Sequence, residues 1–523
     1  MEALIWYYRT GHLLYCGNRL AMEEVKALSP GNVCWAEPII EAWNIAEHHD
    51  QICDWLYNYR SAKTLACVRG QEAWVRPTGK PYMPLVSMAY EHDKDSNGIR
   101  DKTRKDAKGR PIWIYPSTTA DDLAIRCWLA IGAVKTHGFG FFAIDTWLQG
   151  VETWQNSGGD LNKINGPVAT PGDPEKFAAF FKSKFLPAAE LLEDMPNARA
   201  PFAVLQPVES RYMGDWSVQC QAQDFCVLAG EWGVPYDIIP DAEVNGGVLS
   251  RYRYVVLPYT AVLTKTHNDV LTSLPKTTTI VVDGHCPSNL LPQAVRLDAK
   301  FDWRNWGTTA RPAFSNWLAS VQDELNARRE AWSALDGEFK SQTFLKDYKG
   351  AKYVLVLNDL RRRLDCPQTR VITNAWYKPH GAPQRITTHL PVFKDGVTYE
   401  FAAAPIGNDA TVTCDYAPAE AKVFCLYPKA LAKPTIALKG EAVEIAVTDI
   451  DGAPAPGRQV VEVTVLGPDG AVRDESRRIV VEDGRGYVPL CLSDSDLGTL
   501  RMGGWRIVAR DLTTGLSVEE VLN

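Results

Sequence analysis

The residues best suited to chemistry in this 523-residue chain are carboxylates that follow short apolar runs. Glu37 closes NVCWAE, Asp54 lies in QICDWLY, Glu91 closes YMPLVSMAYE and Asp145 closes GFGFFAID. A carboxylate at the mouth of a strand can move a proton, attack an electrophilic carbon or hold a hydroxyl. Two of them about 5 Å apart form the pair used by retaining glycosidases. Each also has a plainer reading: Glu91 as a polar group at a strand mouth or a metal ligand, and Glu37 as half of a rim salt bridge. Trp35 and Trp147 stand next to such carboxylates. Nine of the 17 tryptophans fall within the first 154 residues. Their flat faces suit stacking on sugar rings, although most are expected in the core.

Directly after Glu91 comes EHDKDSNGIRDKTRKD. Asp93, Asp95 and Asn97 alternate as the first, third and fifth ligands of a calcium loop do. Gly98 permits the sharp turn, Ile99 offers a carbonyl, and Asp101 falls at the ninth position. The twelfth position, where a bidentate carboxylate belongs, is Arg104, so an EF-hand is excluded. A shorter loop of the extracellular type is expected, with a structural calcium. The plain alternative is a charged β-turn, because Asp and Asn favour turns.

These residues need elements to position them. Strands are expected at Asn32–Glu37, Gln51–Tyr57, Tyr82–Glu91 and Gly138–Asp145, with helices over 61–76 and 120–136. The second helix opens at Ser117-Thr118-Thr119, a natural N-cap ahead of Asp121 and Asp122. Strands alternating with helices predict parallel β/α units. A helix over 175–194 and the linker MPNARAP lead into a second α/β block. Its strands are Phe202–Gln206, Tyr254–Leu257 and Thr278–Val282, with a helix over 217–230, and they suggest a doubly wound sheet. Residues 311–345 read as helical. From about 350 the pattern turns to short strands, and two β-sandwiches are expected.

Composition is that of an ordinary globular chain, 46% hydrophobic and 23% charged, with a formal charge of −7. The largest basic cluster, Arg361-Arg362-Arg363, is too short to follow a phosphate backbone, so nucleic acid is not an expected partner. The twelve cysteines show no metal spacing, and Cys286 in DGHC lacks the glycines of a nucleophile elbow. No apolar run is long enough to span a membrane. The N-terminus MEALIWYYRTGHLLYCGN has no signal-peptide pattern, and the compartment stays open.

With the elements placed, a resemblance emerges. VCWAEP, DDLAIRCWLAIGAVKTHGFGFFAIDTW, and FAVLQPVESRYMGDWS through VVLPYTAVLT resemble, in that order, parts of family 42 β-galactosidases. These are the end of the glycoside hydrolase barrel and the following trimerisation-type domain of glutamine-amidotransferase-like fold. DGAPAPGRQVVEVTVLGPDG and WRIVARDLTTG resemble a macroglobulin- or immunoglobulin-like module. The resemblance implies five parts. Residues 1–195 form the C-terminal part of a TIM-like barrel, 200–310 the trimerisation-type domain and 311–349 a helical connector. Two β-sandwiches cover 350–432 and 433–523. It numbers the four early strands five to eight, so strands one to four are expected before Met1, unless a shorter ancestor kept a half barrel or the strands are numbered otherwise. It makes Glu91 the nucleophile, with Glu37 as a relocated partner, and Trp35, Asp54, Asp145 and Trp147 as sugar-binding residues. A carbohydrate-active hydrolase is the implied function, with oligomerisation through the trimerisation-type domain. The alternative is a non-catalytic glycan-binding or assembly protein of the same ancestry.

Overall fold

In the computed structural model the residues described are 23–29, 35–36, 50–56, 61–88, 99–105, 111–115, 119–142, 168–169, 173–205, 225–298, 311–334, 342–359, 361–363, 377–381, 383–403, 405–440, 442–490 and 504–522. The fold combines mixed α/β and antiparallel all-β parts.

Seven strands occupy the first part: β1 (Trp35–Ala36), β2 (Gln51–Leu56), β3 (Tyr82–Ser87), β4 (Ile99–Lys105), β5 (Pro111–Tyr115), β6 (Gly140–Phe142) and β7 (Val168–Ala169). Strands β1, β2, β3 and β6 form a parallel sheet in chain order. Helix α1 (Ser61–Val75) links β2 to β3, and α2 (Ala120–Ala133) precedes β6. The two helices pack on each other and so share one face of the sheet. Strands β4 and β5 form an antiparallel hairpin between β3 and α2, and β7 joins β5.

The start of α2 follows from its sequence. The Thr119 hydroxyl accepts from Asp122 N at 3.1 Å, and Asp122 Oδ2 accepts from Thr119 N at 3.2 Å, a reciprocal capping box. Nearly every residue of α2 is buried, including Leu123, Trp128, Leu129 and Ile131. A helix apolar all round needs partners on both sides. One side is α1 and β3; the other is the strand pair Gln342–Tyr348 and Ala351–Leu357. Gly132 makes that second contact possible, because a Cβ there would sit 2.5 Å from Cδ2 of the buried Phe344.

After Pro174–Phe180, a π-helical turn (Phe181–Phe185) and Leu186–Leu192, the chain enters a second parallel sheet. Its strands are β8 (Phe202–Leu205), β9 (Tyr236–Ile239), β10 (Tyr254–Leu257), β11 (Thr279–Val282) and β12 (Val295–Arg296). They run in the order β9-β8-β10-β11-β12. The reversal between β8 and β10 is the doubly wound arrangement. The burial of β8 and β10 at every position explains their unbroken apolar sequences.

The helix after this block is Arg311–Ala327, shorter than the reading of 311–345. Trp332–Ala334 and Gln342–Tyr348 are strands. The tight turn Lys349-Gly350, with φ of 46° and 83°, folds Gln342–Tyr348 back on Ala351–Leu357. Those two strands belong to a five-stranded antiparallel sheet that faces a three-stranded one across Val354, Val356, Ile386, Tyr416, Phe424 and Leu426. The five-stranded sheet also buries Tyr353, Leu355, Val423 and Cys425 in the main core. Among the described residues after Pro434, seven strands form a single antiparallel sheet. Its outer strands, Thr435–Lys439 and Ser517–Leu522, touch, so the sheet curls upon itself. Among the described residues no helix is long and apolar enough to cross a membrane.

Candidate active edge of the parallel sheet

Because β1, β2, β3 and β6 are parallel, their C-terminal ends lie along one edge, where sheets of this kind keep their functional groups. The register is specific. Ala36 pairs with Ile52, Ile52 with Tyr82, Leu85 with Gly140 and Ser87 with Phe142. The floor beneath this edge is apolar and closed: Ile52, Cys53, Leu56 and Val86 are fully buried. At the opposite edge His137 N donates to Tyr82 O at 3.0 Å. The His137 ring meets Asp194 at 2.6 Å. Burial lowers the His137 pKa more than Asp194 raises it.

The expected site residues divide into two groups. Trp35 is in β1, and Asp54 is the fourth of six residues in β2, opposite Pro84. Asp54 is therefore inside a strand rather than at its end, because pairing continues through Trp55 and Leu56. Ile99 and Asp101 are in β4, opposite Ile114 and Ile112. Glu37, Glu91, Asp93, Asp95, Asn97, Asp145 and Trp147 lie outside the described residues. Among the described residues no cluster of three or more His, Cys, Asp or Glu side chains could hold a metal.

The doubly wound part has polar groups of its own at the ends of β10 and β11. Asp283, its side chain inaccessible, holds His285 Nδ1 at 2.7 Å, and the ring of Tyr259 lies 4.1 Å from the imidazole. Cys286 follows them. It is buried, and burial pushes its thiol pKa up. Its Sγ lies 3.5 Å from Leu290 O. Cys286 belongs to the apolar cluster that includes Leu257, Val282 and Leu291. Arg296 fixes the loop around it, with Nη1 donating to Cys286 O at 2.7 Å and Nη2 to Leu290 O at 2.8 Å. Among the described residues, Cys127, Cys286, Cys414 and Cys425 form no disulfide.

No family model matches the chain, and no curated protein matches it. Among solved structures it is similar to the β-galactosidase of Bacillus circulans sp. alkalophilus, with 12% identity and a TM-score of 0.48 over 79% of this chain and 66% of that one. It is also similar to the β-galactosidase of Rahnella sp. R3, with 10% identity and a TM-score of 0.47 over 78% of this chain and 66% of that one. A catalytic mutant of Gan42B, a GH42 β-galactosidase from G. stearothermophilus, gives 10% identity and a TM-score of 0.46 over 77% of this chain. The chain spans 64% of the length of that enzyme. At these values the likeness does not assign a family.

Proposed function

We propose that the chain is a carbohydrate-active, glycoside hydrolase-like protein whose carboxylates act from the C-terminal edge of the β1-β2-β3-β6 sheet. The observation that supports this most is the sheet itself. Four parallel strands follow chain order, and both linking helices cover one face, the arrangement of consecutive units in a (β/α) barrel. On this reading residues 1–195 are barrel and 200–310 a trimerisation-type domain, Arg311–Ala327 is a connecting helix, and the strands from Trp332 onward build the antiparallel modules. Glu91 is the nucleophile. Glu37 is the candidate for the second carboxylate, and Asp145 a sugar-binding one. Trp35 and Trp147 stack on the sugar, and Asp54 holds a hydroxyl. Calcium bound through Asp93, Asp95, Asn97, the Ile99 carbonyl and Asp101 steadies the excursion between β3 and α2. The trimerisation-type domain supports a homo-oligomer.

The test is hydrolysis of aryl glycosides by the purified full chain. Glu91→Gln should lower turnover by about a thousandfold or more, within the range for a lost catalytic acid, base or nucleophile. Azide should restore turnover to Glu91→Ala, since a small anion can replace a missing nucleophile. Unchanged turnover in Glu91→Gln refutes the assignment. A non-catalytic glycan-binding or assembly protein is the second reading. Saturable glycan binding without turnover, lost in Trp35→Ala, would establish it.

A further inference from the structure

Away from that edge, a small crevice, partly open to solvent, lies where four parts of the chain meet. Arg69 comes from α1 and Arg199 from the linker before β8. Arg328 and Arg329 follow the helix Arg311–Ala327, and Thr343 and Leu345 come from the adjoining β-strand. Two carboxylates, Asp237 and Glu330, also line it, and both are engaged elsewhere. Asp237 Oδ2 accepts from Ala200 N at 3.2 Å and from the Tyr252 hydroxyl at 2.9 Å. Glu330 pairs with Lys352 at 2.6 Å.

The arginines are unequally satisfied. Arg328 pairs with Glu324 at 3.1 Å. Arg69 donates from Nη1 to Tyr236 O and lies 4.7 Å above that ring, but its Nε meets no acceptor. Arg329 is the extreme case, because buried Nε and Nη2 both meet no acceptor. Burial pulls its pKa down to about 10, so the group is still charged at neutral pH. A half-buried guanidinium with no carboxylate partner is costly. Buried polar groups left unpaired in a native fold call for a missing partner.

We propose that this crevice binds a small oxyanion of the phosphate class, with Arg329 as its main ligand and Arg69, Arg199 and Arg328 supplying further positive charge. A planar guanidinium fork matches phosphate oxygens two at a time, and several forks around one space favour a multiply charged anion over a single carboxylate. The site is separate from the carboxylate edge, and the proposal does not depend on hydrolase activity. Bound anion would join α1, the linker, the doubly wound sheet and the β-strand of the next part.

Calorimetric titration of the full chain with inorganic phosphate, at constant ionic strength and with chloride as control, tests this. One saturable site is expected, with a melting temperature that rises with phosphate and not with chloride. Arg329→Met should weaken binding by about tenfold or more, as expected for lost charge-assisted hydrogen bonds. Without phosphate it should melt no lower than the wild type, since an unpaired buried charge has been removed. Arg199→Gln, a change at an exposed position, should also weaken binding, while Arg485→Gln in the distant C-terminal sheet should not. Absence of saturable binding in the wild type overturns the proposal. So does unchanged phosphate affinity in both Arg329→Met and Arg199→Gln.

Discussion

Lys346 should make this protein less stable as the pH falls towards neutrality, and Lys346→Met should remove that dependence. The side chain is 1% exposed, and among the described residues no carboxylate lies within hydrogen-bonding distance of it. Its Nζ donates to Val134 O at 3.2 Å, at the C-terminus of α2, and to Met195 O at 3.1 Å. Burial lowers its pKa from 10.5 to about 7; Glu72 opposes the shift and Arg69 adds to it. The folded pKa therefore lies below the unfolded one. Between the two values the unfolded chain holds the extra proton, so stability rises with pH; it is lost as the pH falls through the window towards 7. The full shift corresponds to about 5 kcal/mol at most, at about 1.4 kcal/mol per unit. From about pH 7 to about pH 8.5 the gain should be about 1.6 kcal/mol. Urea unfolding followed by tryptophan fluorescence, at several pH values in that interval and constant ionic strength, measures it. Buried thiols such as Cys127, whose pKa is raised to about 12, oppose the trend near the top of the interval. They do so equally in wild type and variant, so the difference between the two slopes belongs to Lys346. Lys346→Met also leaves two carbonyls without their donor, at about 1–3 kcal/mol each. The absolute stability at one pH is therefore uninformative and the slope decides. Parallel slopes for the two proteins would refute the reasoning.

Gly132→Ala should destabilise the protein although alanine favours helix. The added methyl meets the Phe344 ring, at about 1–3 kcal/mol for overpacking against a propensity gain of about 1 kcal/mol. Adding Phe344→Leu should recover much of the loss, and a strictly additive double mutant would count against the contact. Thr119→Ala should cost about 1 kcal/mol through the lost cap of α2, whereas Thr119→Ser should cost little; equal losses in urea unfolding would contradict the capping box. Millimolar calcium should raise the melting temperature, with an affinity of about 10⁻⁴ to 10⁻³ M, and Asp95→Ala should abolish the response. A flat titration of the wild type would remove calcium from the account.

Much of the architecture was legible where the local chemistry was strong. The Thr119 cap with Asp122 marked the start of α2, and the unbroken apolar run at Tyr254–Leu257 marked a central parallel strand. The helical reading past Ala327 failed for an identifiable reason. The hairpin that follows turns at Lys349-Gly350, with φ positive at both residues, and lysine is not a residue whose presence announces such a turn. Likewise the C-terminal strands alternate correctly, but alternation alone does not say whether they pair as two sheets or as the single curled one observed. In the sequence Asp54 groups with the strand-end carboxylates, yet the pairing register runs two residues beyond it. The arginine crevice could not be read from sequence at all. Arg69, Arg199, Arg328 and Arg329 converge from three regions of the chain, and only the fold makes them neighbours.

One helix end connects these observations. Gly132 admits Phe344, Ala133 O accepts from Asn197 Nδ2, and Val134 O accepts from Lys346, so the last turn of α2 is held by groups from the linker and from the strand Gln342–Tyr348. A helix C-terminus presents unsatisfied carbonyls and a partial negative charge, and amide and ammonium donors answer both. Seven residues after Ala133 the chain enters β6, which pairs with β3 beside the candidate active edge. The His137 amide, bound to Tyr82 O, fixes the connection to β3 on the way. The position of β6 is thus set partly by a strand more than 200 residues later, Gln342–Tyr348. The all-β parts are therefore components of the scaffold that supports the parallel sheet. Perturbing Gly132 or Lys346 should disturb β6 before it disturbs β1 or β2, because the end of α2 leads directly into β6.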